Sequence, residues 1–371
     1  MNIPAHHQSP GVVIIGAGVA GSAVALALCR LGHNVTLLWR AENEGSSFTN
    51  QKWHHSGLLY PSELIARMAC RGFLDESLLT KFIYSTSVRA KFLALTSRTL
   101  DERGQMWRDW GVSTWGLDWR RLDQAEYRSI GLLGETRAIG GFEVPDRVVD
   151  FPKLVSYLRG EVLRLGGTVI PDADVNRIRF EANRVTAVEF YGDREKRRID
   201  CSLCVVAAGA WSNSLLDASG IISPDIILRK CVVFEYDDEL VSGLTTCLDV
   251  SGYDKTTRDV TLVPFHGKTL AAGTGFTEVS SSDDGEPDLV QVERLRQELL
   301  QCFPALYSRQ PRIITCTKTE KRSVGKSNVK PQVYGREFHG INGLAVAIPG
   351  KASFMFDLAT QVLRELGLDS V

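Results

Sequence analysis

The sequence carries almost no excess charge of either sign. Its 43 Lys and Arg residues balance 44 Asp and Glu residues, which leaves a formal net charge of -1. A chain of this kind has no general electrostatic attraction for nucleic acid or for anionic lipid. Partners of both kinds are therefore disfavoured.

Long hydrophobic segments are also scarce. One stretch, Gly11 to Cys29, runs for nineteen residues without a charge, close to the length that spans a bilayer. Glycines at positions 16 and 18 divide it into a short strand, a turn and a helix, so no integral membrane segment is predicted. The first ten residues lack the basic start and apolar stretch of a secretory signal, and we expect a cytoplasmic protein.

Cysteine patterns for metal or redox chemistry are nearly absent. Of the eight cysteines, only Cys201 and Cys204 form a CxxC pair, and that pair enters an apolar run without a second ligand pair. We expect reduced thiols in the core and no metal site. The length of 371 residues predicts two domains.

A glycine motif is the first feature with chemistry in it. Gly16, Gly18 and Gly21 follow a predicted strand and open a predicted helix that includes Val19 and Ala20. Gly16 allows a tight turn, Gly18 lets the backbone approach a pyrophosphate, and Gly21 allows close packing of helix and strand. Free N–H groups at the helix start favour the anion. The motif predicts dinucleotide binding by these five residues, but does not separate FAD from NAD or NADP.

The second predicted strand ends without the acidic residue that usually binds the adenosine ribose. Trp39 holds that position and Arg40 follows it, while Glu42 or Glu44 could reach back from the loop. An arginine here is also compatible with the 2′-phosphate of NADP. The ribose contact is therefore left open.

The loop that follows carries the first family resemblance. Its residues 45–61 read GSSFTNQKWHHSGLLYP, and this segment resembles the flavin loop of the D-amino-acid-oxidase superfamily. In one register, His55 to Pro61 is similar to L-2-hydroxyglutarate and glycerol-3-phosphate dehydrogenases. In another, Trp53-His54-x-x-Gly57 is similar to dimethylglycine and sarcosine dehydrogenases, whose matching histidine is joined covalently to the flavin. The resemblance implies FAD contacts for Arg40, Ser46, Ser47, Trp53 and His54.

Two further segments resemble the same superfamily. Residues 204–213 read CVVAAGAWSN, which is similar to the strand and turn that pass the dinucleotide, and residues 343–354 read GLAVAIPGKASF, a strand, a glycine turn and a helix start. The resemblance implies FAD contacts for Ala208, Gly209 and Trp211, an adenine contact for Val175, and a final group of contacts from Gly350, Lys351, Ala352 and Ser353. Lys351 resembles the lysine of the Gly-Lys motif in glycerol-3-phosphate dehydrogenases, where a cation stabilises the reduced flavin.

Substrate contacts are predicted less directly. In the superfamily, the stretch corresponding to the basic run 321–331 approaches the substrate, so Arg322 is the first candidate for binding a carboxylate. His266 lies in a segment that resembles the sheet crossing over the flavin. His55 is a candidate base for a hydroxyl proton, and Tyr60 is a candidate hydroxyl group near the ring.

Together these resemblances imply an α/β fold with two domains. We expect a Rossmann-like, GR2-type FAD-binding domain formed by residues 1–85, 145–225 and 315–371. Alternating runs predict an inserted α+β substrate domain, residues 86–144 and 226–314, built on an antiparallel sheet.

The implied function is FAD-dependent oxidation of a small-molecule amine, amino acid or 2-hydroxy acid. A hydride would pass from the substrate carbon to flavin N5 and give an imine or a carbonyl, with oxygen or a quinone as the electron acceptor. Three alternatives are a flavin monooxygenase type of enzyme, a nicotinamide dehydrogenase, and a non-catalytic flavin-binding or assembly protein. The monooxygenase alternative lacks its late Gly-Asp motif in this sequence.

Overall fold

The protein forms two compact units in a computed structural model. The structure describes residues 11–41, 45–74, 79–84, 89–128, 136–251, 257–273, 275–281, 285–322 and 330–368. One unit consists of Met1–Phe48, Pro152–Leu228 and Lys318–Val371, and the other of Thr49–Phe151 and Arg229–Thr317.

Strands and helices are numbered along the described chain. The strands are β1 (Val12–Ile15), β2 (Val35–Leu38), β3 (Trp53–His54), β4 (Ala90–Ala94), β5 (Arg120–Arg121), β6 (Gly140–Val144), β7 (Arg147–Val148), β8 (Thr168–Ile170), β9 (Asp174–Glu181), β10 (Arg184–Gly192), β11 (Glu195–Asp200), β12 (Leu203–Val206), β13 (Ile226–Tyr236), β14 (Thr245–Ser251), β15 (Thr257–Phe265), β16 (Lys268–Gly273), β17 (Thr277–Val279), β18 (Arg312–Lys321), β19 (Gln332–Tyr334) and β20 (Leu344–Ile348). The helices are α1 (Val19–Arg30), α2 (Ser46–Thr49), α3 (Glu63–Leu74), α4 (Ser97–Asp109), α5 (Gln124–Arg128), α6 (Phe151–Arg164), α7 (Ser212–Ala218), α8 (Leu289–Cys302), α9 (Arg336–His339) and α10 (Met355–Glu365).

A six-stranded sheet is the centre of the first unit. Its strand order is β19-β20-β12-β1-β2-β8, and all neighbours are parallel except β19 with β20. Strand β1 is buried at every position, as expected for its wholly apolar sequence VVII in a parallel sheet. Ile15 is in register with Leu38 of β2 and with Val206 of β12, so the turns after these strands meet at one edge of the sheet. This is the arrangement expected of a dinucleotide-binding sheet.

The second unit is built on a larger, mainly antiparallel sheet. Its order is β17-β13-β16-β15-β14-β4-β6-β5, with β18 beside β13, and the pair β14 and β4 is parallel. Two buried clusters pack on it, one around Trp107 and Phe142 and the other around Phe234 and Phe303. The predicted fold class is therefore confirmed.

One boundary between the two units differs from the sequence expectation, which placed it at residue 85. The first unit ends at Phe48, and Thr49–Phe151 belong to the second unit, where Trp53 and Phe73 lie in one core cluster. Leu289, the first residue of α8, is 74% exposed. Within the described ranges, no helix is both long enough and apolar enough to cross a membrane.

Candidate functional site

The turn after β1 is shaped for close contact with a ligand backbone. Gly16 has φ of 101°, and a Cβ there would lie 2.4 Å from the carbonyl oxygen of Ala207. A Cβ on Gly21 would lie 1.8 Å from the carbonyl oxygen of Gly16. Side chains are therefore excluded at both positions, which keeps the strand, the turn and α1 close together.

Helix α1 presents its first turn to this space. Gly18 is the N-cap and supplies no side-chain hydrogen bond, and the first turn has no acidic residue. The N–H of Val19 donates to the hydroxyl of Ser47 at 3.0 Å, while the N–H groups of Ala20 and Gly21 have no acceptor within the helix. Such a helix start attracts an anion. Its glycines and N–H donors fit the pyrophosphate of a dinucleotide.

A residue of α6 that the sequence did not predict packs against Trp39, just after the end of β2. Arg159 of α6 is only 7% exposed. Its Nε and Nη2 both donate to the carbonyl of Ala17, at 3.0 and 2.5 Å, and its guanidinium carbon lies 3.5 Å from the centroid of the Trp39 ring. The sequence did contain a signal for this burial. Arg159 lies four residues after Val155 and three before Val162, which places a charged residue on the apolar face of the helix.

Several predicted contacts lie along the carboxyl edge of the same sheet. The Arg40 guanidinium carbon lies 4.4 Å from the centroid of the Trp211 ring. Gly209 follows β12 with φ of 58°, and Ala208 precedes it. Val175 does not lie on this sheet but in β9 of a separate three-stranded sheet, β11-β10-β9, opposite Phe190 of β10. Glu42 and Glu44, the alternative ribose ligands, fall outside the described residues.

The last predicted contacts lie between β20 and α10. Gly350 has φ of 65°, and Lys351, which is half-buried, is the N-cap of a 3-10 turn over Ala352–Phe354. The backbone of Ser353 belongs to this turn. Helix α10 begins only at Met355 and not at Lys351 as expected, because the chain first forms a 3-10 turn. Arg322 lies elsewhere, exposed, where its Nε donates to Asp225 at 3.0 Å.

In the second unit, Trp53, His55 and Tyr60 form an aromatic group. The Trp53 and His55 ring centroids are 3.9 Å apart, and those of His55 and Tyr60 are 5.8 Å apart. Asp146 fixes this segment: it accepts from Trp53 Nε1 at 2.8 Å, from the Ser56 N–H at 3.2 Å and from the Ser56 hydroxyl. Burial raises the pKa of Asp146 to about 6, although the bonds from Ser56 and Trp53 oppose that shift.

His54 points into a different environment from His55. It is 1% exposed, its ring lies 5.0 Å from that of Phe73, and its Nε2 has no hydrogen-bond partner among the described residues. Burial lowers the pKa of His54 to about 3, with a smaller effect from the charge of Arg147. His54 is therefore a neutral imidazole at physiological pH.

His266 belongs to a cluster of polar and charged side chains that the sequence did not predict. The ring Nε2 of His266 lies 3.0 Å from Oδ2 of buried Asp150. The backbone N–H of His266 donates to the Tyr84 hydroxyl at 2.6 Å. Lys52 is also buried in this unit, with φ of 58°, and burial lowers its pKa to about 8, while the nearby charges of Cys316 and Asp150 oppose the shift. His266 is thus held by two hydrogen bonds, one from its backbone and one from its ring.

Comparison with known proteins decides the family. The family model described as FAD dependent oxidoreductase, DAO, matches residues 11–347, nearly the whole chain. This chain belongs to the DAO family. Its cofactor is accordingly FAD, and the predicted resemblance is confirmed. No curated protein shows significant sequence similarity to it.

Solved structures of DAO-like enzymes share the fold. Glycine oxidase from Bacillus cereus is 18% identical with a TM-score of 0.70, and the match covers 98% of both chains. Iminodiacetate oxidase from Chelativorans sp. is 19% identical with a TM-score of 0.72, covering 96% of this chain and 94% of the other. L-proline dehydrogenase from P. horikoshii is 16% identical with a TM-score of 0.71, covering 98% and 96%. At these identities the similarity shows the fold alone.

Proposed function

We propose that this DAO-family protein oxidises a small-molecule amine or amino acid at the carbon that bears the nitrogen. The main support is the glycine turn and bare helix start of α1, which fit the pyrophosphate of the family's cofactor. The amine class is supported by the similar folds, which include a glycine oxidase, an iminodiacetate oxidase and an L-proline dehydrogenase. Bound FAD supplies a hydride acceptor at flavin N5.

The first task of the protein is to hold the cofactor. We propose that the N–H groups of Ala20 and Gly21 bind the pyrophosphate and that Ser47 orders the helix start through the Val19 N–H. The remaining proposed cofactor contacts are Gly16, Gly18, Arg40, Ser46, Val175, Ala208, Gly209, Trp211, Gly350, Ala352 and Ser353. Most of them follow strands of the parallel sheet, where dinucleotides bind in folds of this type.

The second task is to manage the proton that leaves when a hydride is removed. His55 is the proposed acceptor, because its half-buried imidazole packs against the Trp53 ring and has Tyr60 beside it. The rigid support from Asp146 reduces the freedom of the Trp53–Ser56 segment that carries His55. A deprotonated amine substrate needs little further help, since its nitrogen lone pair assists hydride loss.

Two cations complete the proposal. We propose that Lys351, in the turn after Gly350, stabilises negative charge on the reduced cofactor. Arg322 would bind a substrate carboxylate, and its present partner Asp225 is exposed, so exchanging that ion pair costs little. The neutral, unpartnered Nε2 of His54 is compatible with a covalent bond to the flavin, as in the relatives that its motif resembles.

A hydroxyl substrate is the second candidate. It is favoured by the His55-to-Pro61 register, and glycerol-3-phosphate dehydrogenase from Bacillus halodurans is among the similar folds, with 14% identity, a TM-score of 0.69 and coverage of 97% and 65%. In that case His55 accepts the hydroxyl proton and the product is a carbonyl. Either oxygen or a quinone would reoxidise the cofactor.

The proposal is tested with the absorbance spectrum of the purified protein before and after acid precipitation. Amines, amino acids and 2-hydroxy acids are then added without oxygen. Bleaching by amines alone supports the main proposal, and bleaching by hydroxy acids alone supports the second. Colour retained in the acid pellet, and lost from a His54→Ala variant, identifies His54 as a covalent link. Flavin that no donor reduces would favour a non-catalytic flavin-binding role, and NADPH-dependent reduction would favour the monooxygenase type.

A further inference from the structure

The part of the dinucleotide site that would bind the adenosine ribose lacks the acidic residue that such sites usually have. From Gly11 through Ala41 the sequence contains no Asp or Glu, and Trp39 stands where such sites usually place an acid. Ile15 and Leu38 are in register on neighbouring parallel strands, so Trp39 follows β2 at the edge where Gly16 follows β1. The usual carboxylate is therefore replaced by an indole at that place in the fold.

An arginine is packed against this indole. The guanidinium carbon of Arg159 lies 3.5 Å from the Trp39 ring centroid and 5.7 Å from that of Phe48. Two of its N–H groups donate to the Ala17 carbonyl, inside the glycine turn, and the Ser22 hydroxyl donates to the same oxygen at 3.1 Å. A buried cation is thus attached directly to the turn that we place at the pyrophosphate.

A second arginine and indole lie along the same sheet edge. Arg40, the residue after Trp39, lies over Trp211, and a Cβ on Gly45 would be 3.6 Å from the Trp211 ring. Arg40 is exposed, whereas Arg159 is buried. Two positive charges therefore flank the region where related sites carry one negative charge.

We propose that the adenosine end of this site recognises its ligand through arginine and tryptophan, and not through a carboxylate bound to the ribose. Arg159 is the positioning residue: it holds the Ala17 carbonyl, so the N–H groups of the turn remain directed at the pyrophosphate, and it adds positive charge behind them. This inference rests on the proposed placement of the pyrophosphate at the glycine turn.

The proposal makes a specific statement about ligands. A carboxylate that binds the ribose hydroxyls penalises loss of the 2′-hydroxyl, by about tenfold or more for a charged hydrogen bond, and repels a 2′-phosphate. A site made of arginine and tryptophan neither penalises loss of the 2′-hydroxyl nor repels a 2′-phosphate. Nucleotides lacking the 2′-hydroxyl, or carrying a 2′-phosphate, should therefore bind nearly as well as the parent compounds.

The test is competition with FAD for the apoprotein, measured by quenching of flavin fluorescence. The competitor pairs are ADP with 2′-deoxy-ADP, and ADP-ribose with 2′-phospho-ADP-ribose. We expect the 2′-deoxy compound to match ADP within about twofold and the 2′-phosphate to bind at least as tightly as its parent. A loss of about tenfold or more for either modified nucleotide would overturn the proposal and would indicate a carboxylate such as Glu42 or Glu44.

Variants separate the role of Arg159 from a general effect on folding. Arg159→Met should weaken FAD binding by about tenfold to a hundredfold, because two charged hydrogen bonds are lost. Arg164→Met is the matched control on the same helix, since Arg164 is exposed and paired with Glu161, and FAD affinity should not change. A folded Arg159→Met protein with unchanged FAD affinity would overturn the positioning role.

A third variant restores the usual charge and does not depend on the stability of Arg159→Met. Trp39→Glu should weaken the binding of 2′-phospho-ADP-ribose, relative to that of ADP-ribose, by about threefold, which is the effect of one partly screened charge. An unchanged ratio counts against the inference. If ADP fails to compete with FAD, or Gly21→Ala leaves FAD affinity intact, the placement of the pyrophosphate is wrong, and that outcome is distinct from failure of the ribose argument.

Discussion

Gly21→Ala is the sharpest test of the proposed cofactor site. A Cβ at this position would lie 1.8 Å from the carbonyl oxygen of Gly16, whereas real contacts of this kind are rarely shorter than 3.0 Å. Both atoms are fixed to backbone, so the start of α1 must move away from the turn by roughly 1 Å. The N–H groups of Ala20 and Gly21 would leave hydrogen-bond range of the pyrophosphate.

The expected loss follows from those two hydrogen bonds. Each bond to a charged phosphate contributes about 1.5–3 kcal/mol, so losing both raises the Kd for FAD by roughly two to four orders of magnitude. The measurement is titration of apoprotein with FAD, with the thermal midpoint of the apoprotein as the check on folding.

Two controls make the result specific. Gly160→Ala changes a glycine in α6 with no atom within 4 Å of the new Cβ, so FAD affinity should stay constant while stability rises by about 0.5–1 kcal/mol. Gly18→Ala should cause an intermediate loss of FAD affinity, because the new Cβ meets only the Ser47 side chain, with the hydroxyl oxygen at 3.0 Å. A folded Gly21→Ala protein that binds FAD within about threefold of the wild type would refute the reasoning.

Three further predictions concern the predicted catalytic segments. Because burial depresses the pKa of His54 from 6.5 to about 3, its contribution to stability is complete above pH 6.5 and is lost as the pH falls toward 3. Urea unfolding should show that wild type loses about 2 kcal/mol more than His54→Phe between pH 6.5 and 4.5; parallel curves would contradict the assignment. Asp146→Ala should reduce the free energy of unfolding by about 2–4 kcal/mol, since Trp53 Nε1 and the Ser56 hydroxyl lose a buried acceptor, and a change below 0.5 kcal/mol would show that they find another. Lys351→Met should slow reduction of the flavin roughly tenfold in anaerobic stopped flow without lowering the thermal midpoint, and an unchanged rate would remove its assigned role.

The glycine turn shows why part of the site was predictable. Gly16 and Gly21 are required by local geometry, which permits no side chain at either position, and the apolar strand VVII before them is buried as its composition indicates. Constraints of this kind depend only on residues that are close together in the chain. The order of motifs along the chain also sufficed for the family, which the match over residues 11–347 confirms.

The partners of individual side chains were not predictable in this way. Asp146 is ninety residues from Ser56, and Arg159 is far along the chain from Ala17, so nothing near either residue signals the contact. Arg322 lies within a basic run, and only the structure shows its pairing with Asp225. Similarly, adjacent His54 and His55 have the same residue type but differ in environment: the His54 ring stacks on Phe73, and the His55 ring packs against Trp53 in a tilted arrangement.

The sequence by itself therefore determined the fold class, the dinucleotide turn and the family, because strand periodicity and glycine geometry are local properties. Tertiary structure decided the charge and solvation of the site. A buried arginine behind the glycine turn, a neutral histidine and a carboxyl with a raised pKa each depend on burial by residues distant in the chain. Burial controls the cost of a charge, and it exists only once the chain has folded.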